Sequence, residues 1–411
     1  MSLEMVWVKQ LLWVGSLETD QELIAKARKG AAIASEQVSQ NNLLLGLEKA
    51  SGLAIDSING SIVPHYPVYS DKVVSEVRRT CPSGAQYVSV KYANFKYLNR
   101  LTCRRAMERE GVRWVEERYA GQELIIFAYG LRSAPLATAC AIKKRVPGAK
   151  IYLIVTDLPK YMDLGESRVK AFLKKIDWVG ISQMLHKVDG YILYAEPMAE
   201  YLRLKPDMWM LMEGSYDAEE LQHIRREEES GGVRAIMYSG RLDRRYGVEM
   251  LVDAFMNTEG ADLELWLTGS GNAEGYIRQC AQKDRRIRFF GFLPSREAVI
   301  ELQQRAAALV NMRLPSEPAS AFCFPSKLFE YMATGKPVLS FRIPGIPQEY
   351  FQHMIPIEEE SAAGVAKAIR SVFEMDEAAR REMGRRAARF VLEEKSTAVQ
   401  AARICAFTGV K

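Results

Sequence analysis

Short apolar runs alternate along the whole chain with longer stretches that carry charged residues on one face. Apolar runs of this kind are typical of strands that are buried on both faces, and the stretches between them are typical of amphipathic helices. In the first half the predicted strands are 6–15, 87–90, 123–130, 150–157 and 190–195, and a helix is predicted over 133–146. The alternation predicts an α/β protein whose parallel sheets are covered by helices.

The second half of the chain repeats this pattern. Its predicted strands are 234–240, 263–271, 286–293, 307–313 and 337–341, with a helix over 247–257. Between the halves, over 214–233, apolar content falls, charge rises and a Gly-Gly pair precedes a new strand. We therefore predict one domain over 1–215, a second over 216–390, and a terminal helix over 391–411, for which a return to the first domain is left open.

Composition agrees with two domains and narrows the class of protein. The chain has 411 residues, of which 48% are hydrophobic, enough for two cores. Its net charge of +5 is mildly basic, which favours anionic small molecules or surfaces over nucleic acid. The six cysteines are scattered singly, which predicts a reduced, cytoplasmic protein. No apolar run approaches the roughly 18 to 20 residues that span a bilayer.

Glycines and arginines follow the predicted strands of the second half. Ligands of doubly wound sheets bind outside the carboxyl ends of the strands, where Gly240, Gly269 and Gly271 are found. Arg241 and Arg313 follow two of these strands, and a guanidinium there suits a diphosphate because its planar fork pairs with two phosphate oxygens. Ordinary turns and solvated surface arginines are the alternative interpretation.

A short predicted helix in the stretch "PSKLFEYMATGKPV" carries an isolated carboxylate. The helix begins near Ser326 and ends at Gly335, which is typical of a left-handed stop. Glu330 lies on it three residues after Lys327. A carboxylate at this place is suited to accept hydrogen bonds from the two hydroxyls of a ribose.

These motifs resemble the nucleotide-binding domain of GT-B fold glycosyltransferases, in particular the retaining transferases of family 4 (group 1). The resemblance is carried by "YSGRLDRRYGVEMLVDAF", "LWLTGSG", "FFGFLPSREAVIELQQRAAALVNMR" and "FPSKLFEYMATGKPVLSFRIPGIPQEY". In the first half, "AKIYLIVTDLPKYMD" resembles bacterial members that build capsular, exopolysaccharide or other surface glycans. The resemblance implies two Rossmann-like domains that face each other across a cleft, with the acceptor bound by the first and the donor by the second.

The resemblance also implies roles for individual residues. Glu330 becomes the ribose-binding carboxylate and Arg241 a diphosphate-binding group. The turn from Gly269 to Gly271 becomes part of the wall around the nucleotide. The donor expected from the family is a UDP- or GDP-sugar, with no further cofactor.

Three positions depart from the pattern of the family. Phe322 stands where a glutamate commonly contacts the donor sugar, and Tyr246, next to Arg245, stands where a lysine is usual. The first domain has Asp157 near the place of the usual histidine. Two interpretations follow: a diphosphate site built from other cations, or impaired turnover of the donor.

We favour the first interpretation, because positive charge is available nearby. Arg241, Arg313 and Lys327 are predicted to bind the diphosphate, and Arg245 and Ser326 complete the predicted binding set. Arg241 is also a candidate catalytic residue, since charge develops on the leaving diphosphate. Asp157 is the second candidate catalytic residue. It would orient the acceptor hydroxyl or the donor sugar, although an aspartate before Leu-Pro is also an ordinary turn residue.

No metal site is predicted. The four histidines have no metal-like spacing, and no Asp-x-Asp pair stands in a suitable loop. The expected reaction is therefore independent of a metal ion.

The segment from Lys72 to Arg118 suggests where an acceptor comes from. It holds eleven lysines and arginines against five glutamates, interleaved with aromatic residues. This composition suits peripheral contact with the inner face of the cell membrane and a lipid-linked or other glycan acceptor. A solvated helix face is the alternative.

Together these features predict a glycosyltransferase that moves a sugar from a nucleotide diphosphate sugar to an acceptor hydroxyl, with retention of configuration as the family implies. A non-catalytic subunit that binds nucleotide sugar or glycan with the same fold is the alternative, supported by the departures at Phe322 and Tyr246.

Overall fold

The computed structural model describes residues 9–30, 35–161, 168–217, 234–293 and 295–410. The chain forms two compact units. The first comprises Met1–Tyr194, Met198–Met212 and Gln400–Lys411, and the second comprises Ala195–Pro197 and Glu213–Val399. Most of the predicted boundary segment 214–233 lies outside the described residues. The predicted roles of the two domains, acceptor binding and donor binding, stay predictions.

The first unit contains, among its described residues, an eight-stranded sheet in the order β10-β9-β8-β7-β1-β2-β5-β4 and a small ribbon of β3 and β6. Among the strands that the structure describes in this unit, only the β4–β5 and β3–β6 pairs are antiparallel. The strands are β1 (Lys9–Gly15), β2 (Ile55–Asn59), β3 (Val73–Val74), β4 (Val77–Thr80), β5 (Gln86–Ser89), β6 (Tyr92–Ala93), β7 (Glu123–Tyr129), β8 (Lys150–Val155), β9 (Gly190–Leu193) and β10 (Trp209–Leu211).

The helices of the first unit connect these strands. They are α1 (Asp20–Ala27), α2 (Ser35–Ser51), α3 (Asn99–Arg118), α4 (Ser133–Arg145), α5 (Arg168–Leu185) and α6 (Pro197–Tyr201), with short 3₁₀ turns at Pro159–Tyr161 and Pro206–Met208. The predicted helix over 133–146 corresponds to α4. Its residues Leu136, Ala139 and Ile142 are fully buried, as expected for a helix that covers a sheet.

The C-terminal segment is not one continuous helix. A π-helical turn covers Phe390–Glu394, and a separate helix, Thr397–Thr408, follows it. Most of this last helix belongs to the first unit, where the Phe407 ring packs edge-on against Tyr152 with 5.8 Å between the ring centroids.

The second unit contains, in its described residues, a six-stranded parallel sheet in the order β13-β12-β11-β14-β15-β16. The strands are β11 (Arg234–Arg241), β12 (Leu263–Ser270), β13 (Ile287–Gly291), β14 (Ala308–Asn311), β15 (Val338–Phe341) and β16 (Ile355–Ile357). Chain order runs outward in both directions from the β11–β14 pair. This is the doubly wound arrangement, and its switch point lies between β11 and β14.

Six helices accompany this sheet in the described residues of the second unit. They are α7 (Val248–Met256), α8 (Glu274–Lys283), α9 (Arg296–Arg305), α10 (Lys327–Ala333), α11 (Ala362–Glu374) and α12 (Glu377–Arg389). The terminal helix Thr397–Thr408, most of which belongs to the first unit, is α13. 3₁₀ turns cover Arg244–Tyr246, Pro318–Phe322 and Gln348–Gln352. In the described parts of the chain, no helix combines the length and the apolar character needed to cross a membrane.

Candidate functional site

The switch point of the second sheet brings the predicted binding residues to one edge. β11 ends at Arg241, and Arg313 follows the end of β14 by two residues. The two strands pair through the third and fourth residues of β11 and the first two of β14, Ile236 with Ala308 and Met237 with Leu309. Beyond these pairs their carboxyl ends border the crevice where doubly wound sheets bind ligands.

Glycines allow the ends of β11 and β12 to approach each other closely. Gly240 and Gly269 are paired across the two strands, with φ angles of 145° and 134°. A Cβ on Gly269 would lie 1.7 Å from the carbonyl oxygen of Gly240, and one on Gly271 would lie 2.2 Å from that of Leu242. These glycines are therefore required by backbone packing, whether or not a ligand touches them.

Lys327 reaches back over the end of β11. It is the first residue of α10, directly after the exposed Ser326. A Cβ on Gly240 would lie 3.1 Å from Lys327 Nζ, so the ammonium group stands directly over this glycine. The Lys327 side chain is exposed, yet the protein atoms that crowd its ammonium lower its pKa by desolvation, and the attraction of Glu330 only partly opposes this effect.

Glu330 lies on the same helix and is held by two donors. Gln303 Nε2 donates to Glu330 Oε1 at 2.7 Å, and Arg296 Nε donates to Glu330 Oε2 at 3.3 Å. The Glu330 side chain keeps 16% of its surface exposed. Gly335, with a φ angle of 73°, follows the end of the helix, and its left-handed conformation sets the direction in which the chain continues.

Arg241 and Arg245, near the end of β11, differ in how closely they bind the carboxylate of Asp243. Arg241 is 68% exposed, and its Nε lies 3.7 Å from Asp243 Oδ2. Arg245 binds the buried Asp243 with two bonds, at 3.1 Å from Nε and 2.8 Å from Nη2. These bonds lower the pKa of Asp243 to about 2, against the opposing effect of burial. The charge of Arg245 is thus used inside the protein, and its predicted contact with a diphosphate stays a prediction.

Tyr246 packs against an arginine from the neighbouring strand end. The guanidinium of Arg313 lies over the Tyr246 ring, 4.5 Å from its centroid. A cation in this position is attracted by the electrons of the ring face. Arg313, which follows the neighbouring β14, therefore places a positive charge beside Tyr246, and its predicted contact with a diphosphate stays a prediction.

Asp157 belongs to the first unit and is described there by itself. It is half-buried and lies two residues beyond the end of β8. Burial raises the pKa of the nearby Tyr194, and the charge of Asp157 adds to this effect. The predicted catalytic role of Asp157 stays a prediction.

Sequence reasoning missed two residues of this site, Gln303 and Arg296. Gln303 is fully buried and donates to both Glu330 and Ser239. One signal could have found it: on α9 it shares a helical face with Ile300 and Ala306, so a polar residue interrupts an apolar stripe.

The described ranges contain no group of three or more His, Cys, Asp or Glu side chains that could hold a metal ion. The expected independence from metals stays a prediction.

The fold is of the GT-B class, with two Rossmann-like α/β domains, and the predicted fold class is confirmed. Residues 233–375 match the model of the family described as glycosyl transferases group 1. This match covers the crevice residues from Gly240 to Glu330. No curated protein matches the chain by sequence.

Several solved structures share the fold. Sucrose-phosphate synthase from Thermosynechococcus elongatus has 16% identity and a TM-score of 0.65, covering 97% of this chain and 98% of its own. The UDP-forming trehalose-phosphate synthase from Burkholderia xenovorans, in complex with glucose-6-phosphate, has 11% identity and a TM-score of 0.67, with 97% and 99% coverage. Anabaena HepE in complex with UDP has 10% identity and a TM-score of 0.63, with 98% and 100% coverage.

Proposed function

We propose that this protein transfers a sugar from a nucleotide diphosphate sugar to an acceptor hydroxyl. The observation that carries this proposal is the pairing of two groups on α10: Glu330 is fixed as a hydrogen-bond acceptor, while Lys327 stands over Gly240 at the switch point. A ribose needs the acceptor and a diphosphate needs the cation. Both groups stand on one short helix, so each half of a nucleoside diphosphate would find its partner there.

The cations of the crevice supply the electrostatic part of the reaction. Negative charge grows on the diphosphate as the bond to the sugar breaks. Lys327, Arg241 and Arg313 would stabilise this charge in the transition state. We propose a UDP- or GDP-sugar as donor and retention of configuration, supported by the family match of residues 233–375.

The acceptor we propose is a glycan or a lipid-linked sugar of surface polysaccharide synthesis, as in the transferases whose strand and loop the segment 149–163 resembles. Two relatives in fold are named for sugar-phosphate products or are bound to a sugar phosphate. A sugar phosphate is therefore the second acceptor class to test. Asp157 is the group of the first unit proposed to orient the acceptor hydroxyl.

Binding of nucleosides and nucleoside diphosphates tests the two halves of the site separately. Replacing Glu330 by Ala should weaken UDP or GDP binding by about 1 to 3 kcal/mol, the scale for hydrogen bonds to a charged group. The free nucleoside should lose the same amount, because both ligands carry the ribose. Titration calorimetry measures both values, and Glu301→Ala, at an exposed position of α9, is the matched control.

The cation variants complete this experiment. Lys327→Ala, Arg241→Ala and Arg313→Ala should weaken binding of the nucleoside diphosphate more than binding of the nucleoside, because only the former carries phosphate. Equal losses for both ligands would show that these side chains do not meet phosphate. An unchanged affinity of the Glu330→Ala variant for UDP or GDP would contradict the assignment of Glu330 to the ribose.

Turnover separates the enzyme from a binding subunit with the same fold. The wild-type protein is expected to hydrolyse its UDP- or GDP-sugar slowly when no acceptor is present. Tight binding without hydrolysis and without transfer to any acceptor would instead support the non-catalytic alternative. Sugar phosphates and lipid-linked sugars are the two acceptor sets to compare.

We also propose peripheral membrane contact through the start of α3. Apolar side chains there are 40 to 52% exposed, namely Phe95, Tyr97, Leu98 and Leu101. Exposed cations stand among and beside them, namely Lys96, Arg100 and Arg105. Exposed apolar and basic side chains in one short segment favour an anionic membrane surface.

Vesicle sedimentation tests this contact. The protein should pellet with anionic vesicles at low salt and be released at high salt, since each basic residue near the surface contributes about 1 kcal/mol that salt screens. Changing Lys96, Arg100 and Arg105 to Glu should abolish most of the pelleting. The same charge change at Lys283, Arg285 and Lys367, exposed residues of the second unit, is the control. A wild-type protein that stays in the supernatant at low salt would favour a soluble acceptor.

A further inference from the structure

A buried polar network lies beneath Glu330. Gln303 is fully buried, and its Nε2 donates both to Glu330 Oε1 and to Ser239 Oγ, at 2.7 and 3.0 Å. A carboxylate can only accept here, so the amide must turn its NH₂ group toward Glu330. The orientation of the Gln303 side chain is therefore fixed by chemistry as well as by packing.

Tyr331 fixes the next member of the network. Its hydroxyl donates to the carbonyl oxygen of Ser239 and accepts from the Ser239 N–H, each at 2.9 Å. The hydroxyl oxygens of Tyr331 and Ser239 lie 3.1 Å apart. Because the single hydroxyl proton of Tyr331 is committed to the carbonyl, Ser239 Oγ donates to Tyr331 and accepts from Gln303. Each hydrogen-bonding proton between Tyr331 and Glu330 is then donated to a single acceptor.

The carboxylate of Glu330 retains spare acceptor capacity. A carboxylate offers about four lone-pair positions, two on each oxygen. Gln303 occupies one on Oε1, and Arg296 occupies one on Oε2. One position remains on each oxygen, side by side and partly exposed to solvent. This pattern matches two neighbouring hydroxyl groups that both donate.

We infer that Gln303 is a positioning residue that makes Glu330 selective for the vicinal diol of a ribose, with Arg296 as its partner on the second oxygen. This inference rests on the proposed binding of a nucleoside diphosphate. Gln303 itself is buried and does not touch the ligand. It acts by holding the plane of the carboxylate, so that both oxygens meet both hydroxyl groups at once.

Ligands without the diol isolate this role. The affinity of wild-type protein for UDP and GDP, measured by calorimetry, is compared with its affinity for the 2′,3′-dideoxy analogues. We expect a preference for the natural ligand of about 10- to 100-fold, the size of one or two hydrogen bonds to a charged group. Gln303→Leu should bring this ratio close to one while the affinity for the dideoxy analogue changes by less than about twofold.

Two further variants keep the test decisive. Arg296→Gln alters an exposed side chain, which is 43% accessible, and should lower the ratio without affecting folding. Gln304→Leu is the same substitution as Gln303→Leu one position along α9 and should leave the ratio unchanged. A Gln303→Leu variant that weakens natural and dideoxy ligands equally has only a structural defect, and that result overturns the inference.

The proposed function fails in a different way. If the wild-type protein does not prefer the natural diphosphates to their dideoxy analogues, Glu330 does not bind a ribose. If the wild-type protein shows the preference and Gln303→Leu and Arg296→Gln both keep it, the ribose site stands and the positioning role is refuted. A fall of the ratio in both variants, with Gln304→Leu unaffected, supports the inference.

Discussion

Replacing Lys395 by Met is expected to destabilise the second unit by about 3 to 5 kcal/mol, the cost of breaking a buried ion pair from one side. Lys395 is only 6% exposed, and its Nζ donates to Glu213 Oε1 at 2.8 Å and to Glu349 Oε1 at 2.5 Å. Glu213 is itself buried. Without the ammonium group, this buried carboxylate loses its ion pair with Lys395.

Methionine isolates the effect of charge in this experiment. The Lys395 ammonium lies 5.3 and 5.5 Å from the ring centroids of Tyr350 and Phe390, so an unbranched apolar side chain can pack in the same place. Urea denaturation measures the loss. Lys29→Met, which breaks an exposed pair with Asp71, is the control and should cost about 0 to 1 kcal/mol.

A double variant decides whether the charge or the packing is responsible. Combining Lys395→Met with Glu213→Leu removes both buried charges and should recover most of the lost stability, because paired buried charges are often no more stabilising than apolar residues. Equal losses in the single and double variants would contradict the assignment to charge. So would a Lys395→Met protein whose urea midpoint equals that of Lys29→Met.

The ion pair also joins two distant parts of the sequence. Thr397 N donates to the carbonyl oxygen of Tyr216 at 3.1 Å, next to a bridge between Tyr216 and Ser396. Amide hydrogen exchange at residues 213–217 and 395–399 should therefore rise together in Lys395→Met. Faster exchange in only one of the two segments would show that they open independently.

The strands of the second sheet could be predicted because local pattern and tertiary environment agree. The run "RAIMYSG" is apolar and ends in a glycine, and β11 occupies Arg234–Arg241 with five consecutive buried residues. Glycine at a strand end signals a close backbone approach from sequence alone. The presence of Glu330 on a short helix that is followed by Gly335 could be predicted from the same kind of local signal.

Other elements could not be predicted because their polar residues are satisfied by distant partners. β2 reads "IDSIN", which has no apolar run, yet all five residues are buried. Asp56 accepts from Trp114 Nε1 at 2.8 Å, and Asn59 Oδ1 accepts from Leu17 N at 2.9 Å. These partners lie 58 and 42 positions away in the sequence. No local pattern reports a hydrogen bond of that kind, and the same limit hid the ion pair of Lys395 with Glu213.

Gly269 connects the stability of the second unit to its proposed site, and Gly269→Ala is expected to destabilise the unit by more than about 4 kcal/mol. The backbone conformation alone, with a φ angle of 134°, costs a residue with a side chain about 1 to 3 kcal/mol. The new methyl group would also lie 1.7 Å from the Gly240 carbonyl oxygen. Because this neighbour is backbone, the ends of β11 and β12 must separate, which places the substitution in the exceptional class of destabilising changes.

The sign of the stability change in Gly269→Ala can be compared with that of a substitution at another glycine of the second unit. Gly275 lies in α8, where a Cβ would meet nothing within 4 Å. Gly275→Ala should stabilise by about 0.4 to 1 kcal/mol, because alanine restricts the unfolded chain and suits a helix. Urea denaturation of the two variants should give effects of opposite sign. Separation of the strand ends would also move Gly240 and the Lys327 ammonium above it, so any folded Gly269→Ala protein should lose diphosphate affinity. Normal UDP and GDP affinity together with wild-type stability would show that the strand ends do not depend on this contact.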